Sequence, residues 1–381
     1  MFDFANQSYT LLIITVIFPV LFTTVIVGDA EDDYRLGNLL WSVALAVSYF
    51  IVVLSGPVFG AIMDFSAMKK RFLFYSYALT VVSTSLLYFV EPGLVVLGVI
   101  LIIISNFAYA IGENFIAAFL PSLGPPADMG KISGFGWALG YVGGLFSAGF
   151  VILYLGEPTA DNFDTIRWVG PWAALFFLVA AIPTFAWVRE PGFRQELPAG
   201  ETFVSMGFKR LGETLRELPR FRDLGIFLIS VFFAMAAIYI VVSFAFIYGD
   251  QVVQWDESVR VLMFVVVQVT AAAGAFLFGV IQDRIGARLT YNLTLGLWFL
   301  GVLGIWAVTD ITAWLNSVLG TSFEDQYVFL WIGVVAGLSL GSSQSASRAM
   351  VGLFSPEQKA AEFFGFWGLS NKVAGVFGII G

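Results

Sequence analysis

The chain has 381 residues, of which 59% are hydrophobic, 17% aromatic and only 12% charged. A soluble domain carries roughly a quarter charged residues, so the composition excludes that class and predicts an all-α polytopic membrane protein embedded in a lipid bilayer. Cysteine and histidine are both absent; this excludes disulfides, thiolate or imidazole metal sites and a cysteine nucleophile, and no catalytic residue, metal or cofactor is expected.

A crossing helix needs roughly 20 apolar residues. Uncharged stretches supply ten in chain order, at 4–28, 36–63, 72–90, 92–112, 132–156, 168–188, 224–249, 261–282, 289–309 and 326–347. An eleventh, from 363 to 381, is apolar except for Lys372. No basic segment precedes the first run, so no cleavable signal peptide is expected. Residues 1–188 and 222–381 are thereby separated by a charged linker, 189–221, which carries Arg194, Lys209, Arg210, Arg216 and Arg220 among glutamates. Helical spacing in its second half predicts a helix on the membrane surface.

Orientation follows from the basic residues. With the N-terminus cytoplasmic, fifteen fall on the inner side and only Arg35, Arg167 and Arg260 on the outer side, which is acidic at Asp29, Glu31, Asp32 and Asp33. The net charge of −8 matters less than this asymmetry. The reading places the protein in the plasma (inner) membrane if it is bacterial.

Some residues inside the spans do not suit lipid. Asn6 and Tyr9 lie one turn apart in span one. Asn106, Tyr109 and Glu113 fall at i, i+3 and i+7 on one stripe of span four, with Asn114 beside them. Glu113 reads as the only carboxylate of the apolar region and Lys372 as the only ammonium at comparable depth. An isolated charge at mid-bilayer costs roughly 2.5–3.5 kcal/mol, so each should face a cavity or the other. Span five presents Gly134, Gly136, Gly140, Gly143 and Gly144 on faces that allow close helix packing, and Trp137 and Tyr141, four apart, serve either as packing or as a stacking surface. Span ten ends in Ser342, Ser343, Gln344 and Arg348. The arginine reads either as a positive-inside residue or as an anion-binding group.

Two loops share a pattern. Gly279-Val-Ile-Gln-Asp283-Arg284-Ile-Gly286-Ala-Arg288 joins spans eight and nine, and a looser copy, Gly60 with Asp64, Lys69, Lys70 and Arg71, joins spans two and three. A glycine ending an apolar helix lets another backbone approach, an aspartate follows four residues later, and basic residues sit at the water boundary. This resembles the cytoplasmic loop signature of the major facilitator superfamily. The resemblance implies the major facilitator fold of two pseudo-symmetric six-helix bundles, here with eleven helices and a missing twelfth. It also implies a gating motif whose Asp and Arg latch neighbouring helices, and a central cavity lined by spans one, four, seven and ten. The second copy is the fuller match, so Asp283 is expected to matter more than Asp64.

Three further segments are similar to the Atg22-like, vacuolar amino-acid effluxer branch: the opening Phe2-Asp3-Phe4-Ala5-Asn6-Gln7-Ser8-Tyr9, the glycine-rich run from Ile132, and Ala361-Glu362-Phe363-Phe364-Gly365-Phe366-Trp367 continuing to Lys372. Ala117 and Asn371 depart from the branch, which bears on the substrate rather than the fold. The resemblance implies a monomeric secondary transporter of a small-molecule solute, amino acids foremost, in the direction of efflux. Glu113 and Lys372 would form its charged centre, with Asn6, Tyr9, Asn106, Tyr109, Asn114, Trp137, Tyr141 and Gln344 around them and protons as the coupling ion. These groups suit a zwitterion, and also a sugar or peptide. No phosphate-binding loop of the Gly-x-x-x-x-Gly-Lys type occurs, no nucleic-acid partner is expected, and no nucleophile stands with a base. The rival of another class is a transporter-like sensor without flux.

Overall fold

Inside hydrocarbon every backbone N–H and C=O must find its partner within the chain, which leaves the helix as the solution for apolar runs of this length. The computed structural model describes residues 1–192, 195–198, 200–217 and 221–380. Arg194 and Arg220 of the linker, and Gly381, lie outside the described residues. Among the described residues, ten helices are long and apolar enough to cross a membrane: Phe2–Val27, Arg35–Ser66, Lys69–Phe89, Val95–Ser122, Pro126–Leu155, Phe163–Trp187, Arg222–Val253, Glu257–Ile285, Ala287–Trp306 and Asp325–Phe354. The eleventh span is the helix Ala360–Ile380.

Several helices run past the uncharged gaps, because a long charged side chain at a helix end can reach water or a partner. The uncharged gap of span four stops at Gly112, but the helix stays α-helical to Ala117 and carries Glu113 as expected. Span ten, predicted to stop at Ser347, continues to Phe354. Arg348, counted among the inner-side loop residues from sequence, therefore lies within a helix and is only 7% exposed. Asp310 interrupts the apolar pattern after span nine and hides a further helix, Val308–Leu319. Span one is α-helical at Phe2–Ser8 and Phe18–Val20 but π-helical at Tyr9–Val16 and Leu21–Val27. Pro19, which has no N–H to donate, separates the two widened stretches.

Spans one to six pack chiefly on one another, as do spans seven to eleven. Two main seams join these groups, span two against span eleven and span five against span eight. Burial along the seams is uneven. In span two almost every residue over 56–66 is buried, whereas the preceding part buries only Gly37, Ala44, Ser48 and Val52. The α-helical part of span seven, Arg222–Tyr248, buries only residues within 224–238, and span ten is buried almost without a break over 339–352. These stretches all lie at the end that bears the signature loops and the linker, the basic end.

The linker helix, Phe203–Glu217, is tied to the protein at the basic end. Gly207 passes so close to span two that a β-carbon there would lie 2.7 Å from Ile62 Cγ1. The Phe203 ring stands 6.5 Å from that of Phe65.

Candidate functional site

The charged pair expected from sequence is brought together, with Lys372 Nζ 3.1 Å from Glu113 Oε2 and both side chains largely enclosed. Glu113 sits near the basic end of span four and Lys372 midway along span eleven, and the four-carbon stem of the lysine bridges the difference in depth. The other Glu113 oxygen accepts a hydrogen bond from the Tyr109 hydroxyl at 2.8 Å. Tyr109 also contacts Thr10 Oγ1 at 2.5 Å and stacks on Tyr9 with ring centroids 4.6 Å apart. Tyr9 donates to Ser105 at 2.8 Å, and the Lys372 ammonium lies 5.1 Å from the Tyr49 ring centroid, a cation–π contact. Tyr9, Tyr109, Glu113 and Lys372 thus form one connected chain across spans one, four and eleven.

The two remaining span-four residues face elsewhere. Asn106 donates to Ser48 of span two at 2.5 Å, and its carbonyl oxygen is buried without a partner among the described residues. Asn114 is turned into the seam with span eleven, where a β-carbon on Gly368 would lie 2.1 Å from Asn114 Oδ1.

A second ion pair lies closer to the basic end. Arg348 Nη1 donates to both carboxylate oxygens of Asp3, at 3.0 and 2.9 Å. Its Nε donates to Ser133 Oγ at 3.1 Å and its Nη2 to the Ser133 carbonyl at 2.9 Å. Gly136 makes the room, since a β-carbon there would lie 2.3 Å from Asp3 Oδ2 and 2.6 Å from Arg348 Nη2. The guanidinium carbon lies 5.4 Å from the Trp137 ring centroid, and one turn on, Tyr141 donates to Gln344 at 2.5 Å. Asp3, Asn6, Gln7, Glu113, Trp137 and Arg348 border one small cavity, with room for roughly one water molecule. That cavity touches both ion pairs. Asp3, Ser133, Thr10 and Tyr49 were not singled out from sequence; the available signal was that Asp3, like Arg348, is a lone charge within a few residues of an apolar run.

The signature loops close the basic end. Asp283 accepts from the Gly130 N–H at 2.8 Å and the Lys131 N–H at 3.0 Å, in the first turn of span five, where unpaired N–H groups and the helix dipole favour a carboxylate. Asp64 repeats the arrangement at the other seam. It accepts from the Glu362 N–H at 2.9 Å and pairs with Lys69 at 2.9 Å. A β-carbon on Gly60 would lie 2.3 Å from the Ala361 carbonyl oxygen. The copy that is looser in sequence is thus the more enclosed one, with the Asp64 side chain fully buried.

Of the partners expected for Asp283, a helix dipole or nearby Arg groups, the structure shows the helix end, and the correction falls on the arginines. Asp283 is held by backbone N–H groups, while Arg284 and Arg288 are exposed and make no ion pair among the described residues. Gly286 ends span eight in the left-handed region at φ 92°. Lys70 binds the Val188 carbonyl through Nζ and Glu190 through its N–H, and Arg71 is exposed. A second correction concerns Glu113 as the lone carboxylate of the apolar region. Glu362, at the start of span eleven, is fully buried, and Arg210 and Thr214 of the linker helix bind its two oxygens.

Residues 43–380 match a family model described as "Vacuole effluxer Atg22 like". The uncharacterized MFS-type transporter YxiO of Bacillus subtilis is 25% identical over 390 residues, covering 99% of this chain and 85% of its own. Autophagy-related protein 22-1 of Emericella nidulans is 21% identical over 256 residues, 65% of this chain and 43% of that protein, so this chain spans less than half of that fungal relative. Among solved structures, a bacterial homologue of the iron transporter ferroportin in an outward-facing state superposes with a TM-score of 0.67 at 12% identity, covering 99% of this chain and 88% of that one. The proton:xylose symporter XylE gives 0.66 at 14% identity, covering 99% and 85%. These likenesses show a shared fold.

Proposed function

The chain belongs to the Atg22-like family, membrane transporters with the major facilitator fold, and on that premise we propose that it exports a zwitterionic small solute, amino acids foremost, by alternating access. Residues 1–188 and 222–381 act as the two rocking units of a monomer. Its basic end faces the cytoplasm, a sidedness supported by the fifteen-to-three distribution of basic residues. The reading is of a proton-coupled carrier, not of an enzyme or a sensor.

The observation that carries it is the Lys372–Glu113 pair, one cation and one anion contributed by different groups of helices beside a cavity. An amino acid offers an ammonium to Glu113 and a carboxylate to Lys372, so it can replace one compensated pair by two without leaving a buried charge bare. A sugar offers neither charge.

The test is counterflow of labelled amino acids, sugars and peptides into liposomes holding the purified protein. Exchange of at least one zwitterionic amino acid is expected. Exchange of sugars or peptides alone, or of nothing in the panel, would overturn the assignment.

A further inference from the structure

We infer that Lys372 is a tethered stand-in for the solute: Glu113 and Tyr49 form a seat for an alkylammonium, which the ammonium of an incoming zwitterion takes over, and Tyr49 is its specificity-determining residue. This deepens, and rests on, the reading of Glu113 and Lys372 as the solute site. The seat belongs wholly to spans one to six. Glu113 of span four presents one carboxylate oxygen to the Lys372 ammonium at 3.1 Å, and the Tyr49 ring of span two has its centroid 5.1 Å away. The other Glu113 oxygen is fixed by Tyr109, which Thr10 and the Tyr9 ring hold in turn. The carboxylate therefore keeps its place when the lysine leaves, and a seat already formed costs little to order on binding.

The occupant is held far less firmly. An ammonium has three donors, yet among the described residues Lys372 uses only one, on Glu113. Arg348, which borders the same cavity as Glu113, makes four hydrogen bonds to Asp3 and Ser133 and is not free to replace it. The Glu113 side chain is 27% exposed against 12% for Lys372, so the carboxylate is the more open partner to an entering cation. The exchange has one condition. Displaced without a partner, Lys372 would be an uncompensated charge in the membrane region, which is strongly unfavourable. An amine alone therefore cannot take the seat, whereas a solute that also carries a carboxylate supplies the partner. At the seat itself, the electron-rich face of Tyr49 attracts a cation and not a neutral donor. A 2-hydroxy acid, which offers Glu113 only a hydroxyl, is thereby rejected, and the amino acid of the same skeleton is accepted.

Removing the tether turns the seat into a binding site for a simple amine. Lys372→Ala lacks the length of one propylammonium ion. The more conservative Lys372→Met keeps the volume of the stem and leaves room for an ammonium ion, should the first variant fail to fold. Thermal unfolding of the detergent-purified proteins is followed against n-propylammonium chloride for the first and ammonium chloride for the second, with sodium chloride and propan-1-ol as controls. Each cation should raise the midpoint of its variant saturably, the controls should not, and wild-type protein should not respond to propylammonium. Adding Tyr49→Leu should raise the half-saturating concentration by about five- to thirtyfold, whereas Tyr49→Phe, which keeps the ring, should leave it within about twofold. A merely structural Tyr49 would lower the midpoint without moving that concentration. No specific rescue in either variant, or a half-saturating concentration unmoved by Tyr49→Leu, would overturn the proposal. Amino-acid exchange without rescue would count against the seat alone, whereas rescue in a protein that exchanges no amino acid would count against the substrate reading alone.

Discussion

Gly130 and Gly279 meet across the seam between spans five and eight so closely that a β-carbon on Gly279 would lie 2.6 Å from the Gly130 carbonyl oxygen. Backbone on both sides cannot yield as a flexible side chain would. Gly279→Ala should therefore penalise the closed basic end by about 1–3 kcal/mol. That corresponds to roughly 5- to 150-fold faster maleimide labelling of Leu120→Cys, a position buried against Gly352 at this end, and an unchanged rate would mean that this seam does not hold the end shut.

The two signature aspartates should rank opposite to their match with the motif. Asp64→Asn leaves Lys69, only 3% exposed, without its partner; breaking such a pair costs about 3–5 kcal/mol. Asp283→Asn weakens two backbone hydrogen bonds to a charged group, each worth about 1.5–3 kcal/mol in full and retained in part by the amide. Thermal unfolding in detergent should show the larger loss at Asp64; the reverse order would mean that the Lys69 contact contributes little.

For the Glu113–Lys372 pair, single and double variants separate solute binding from helix pairing. Lys372→Met alone strands a carboxylate inside the membrane region and should lower stability by about 3–5 kcal/mol. Adding Glu113→Gln should recover most of that stability, while amino-acid counterflow stays lost. Recovery of counterflow in the double variant would make the pair a structural fastening.

Arg210→Ala tests what holds the linker helix. Without the guanidinium, the buried Glu362 carboxylate keeps Thr214 but loses its ion pair, and the helix loses a tie to span eleven. Hydrogen exchange should accelerate over 203–217 by about tenfold or more for each 1.4 kcal/mol lost, with little change in span nine. Unaltered protection would leave Gly207 and Phe203 packing as the main anchor.

Sidedness is checked in whole cells with an impermeant maleimide. Single cysteines at Asp32 and Asp161 should react from outside and those at Ala67 and Ala287 should not. Reaction of the second pair from outside would invert the proposed orientation and with it the direction assigned to export.

Much of the architecture was legible in the sequence because the hydrocarbon imposes its demands residue by residue. A run of apolar residues long enough to cross must be a helix, and a lone charge within it must find a partner. Glu113 and Lys372 could be named as partners on those grounds, being conspicuous lone charges at similar depth. Which charge meets which, however, depends on the rotation and register of packed helices, and that is a property of the tertiary structure. Hence Asp3 with Arg348, and Glu362 with Arg210, emerge only once the spans are assembled. For the same reason the fuller loop motif is held by backbone N–H groups while its Arg284 points away, and the looser copy encloses its aspartate, because close approach of helix ends, not motif completeness, sets how deeply each carboxylate is buried.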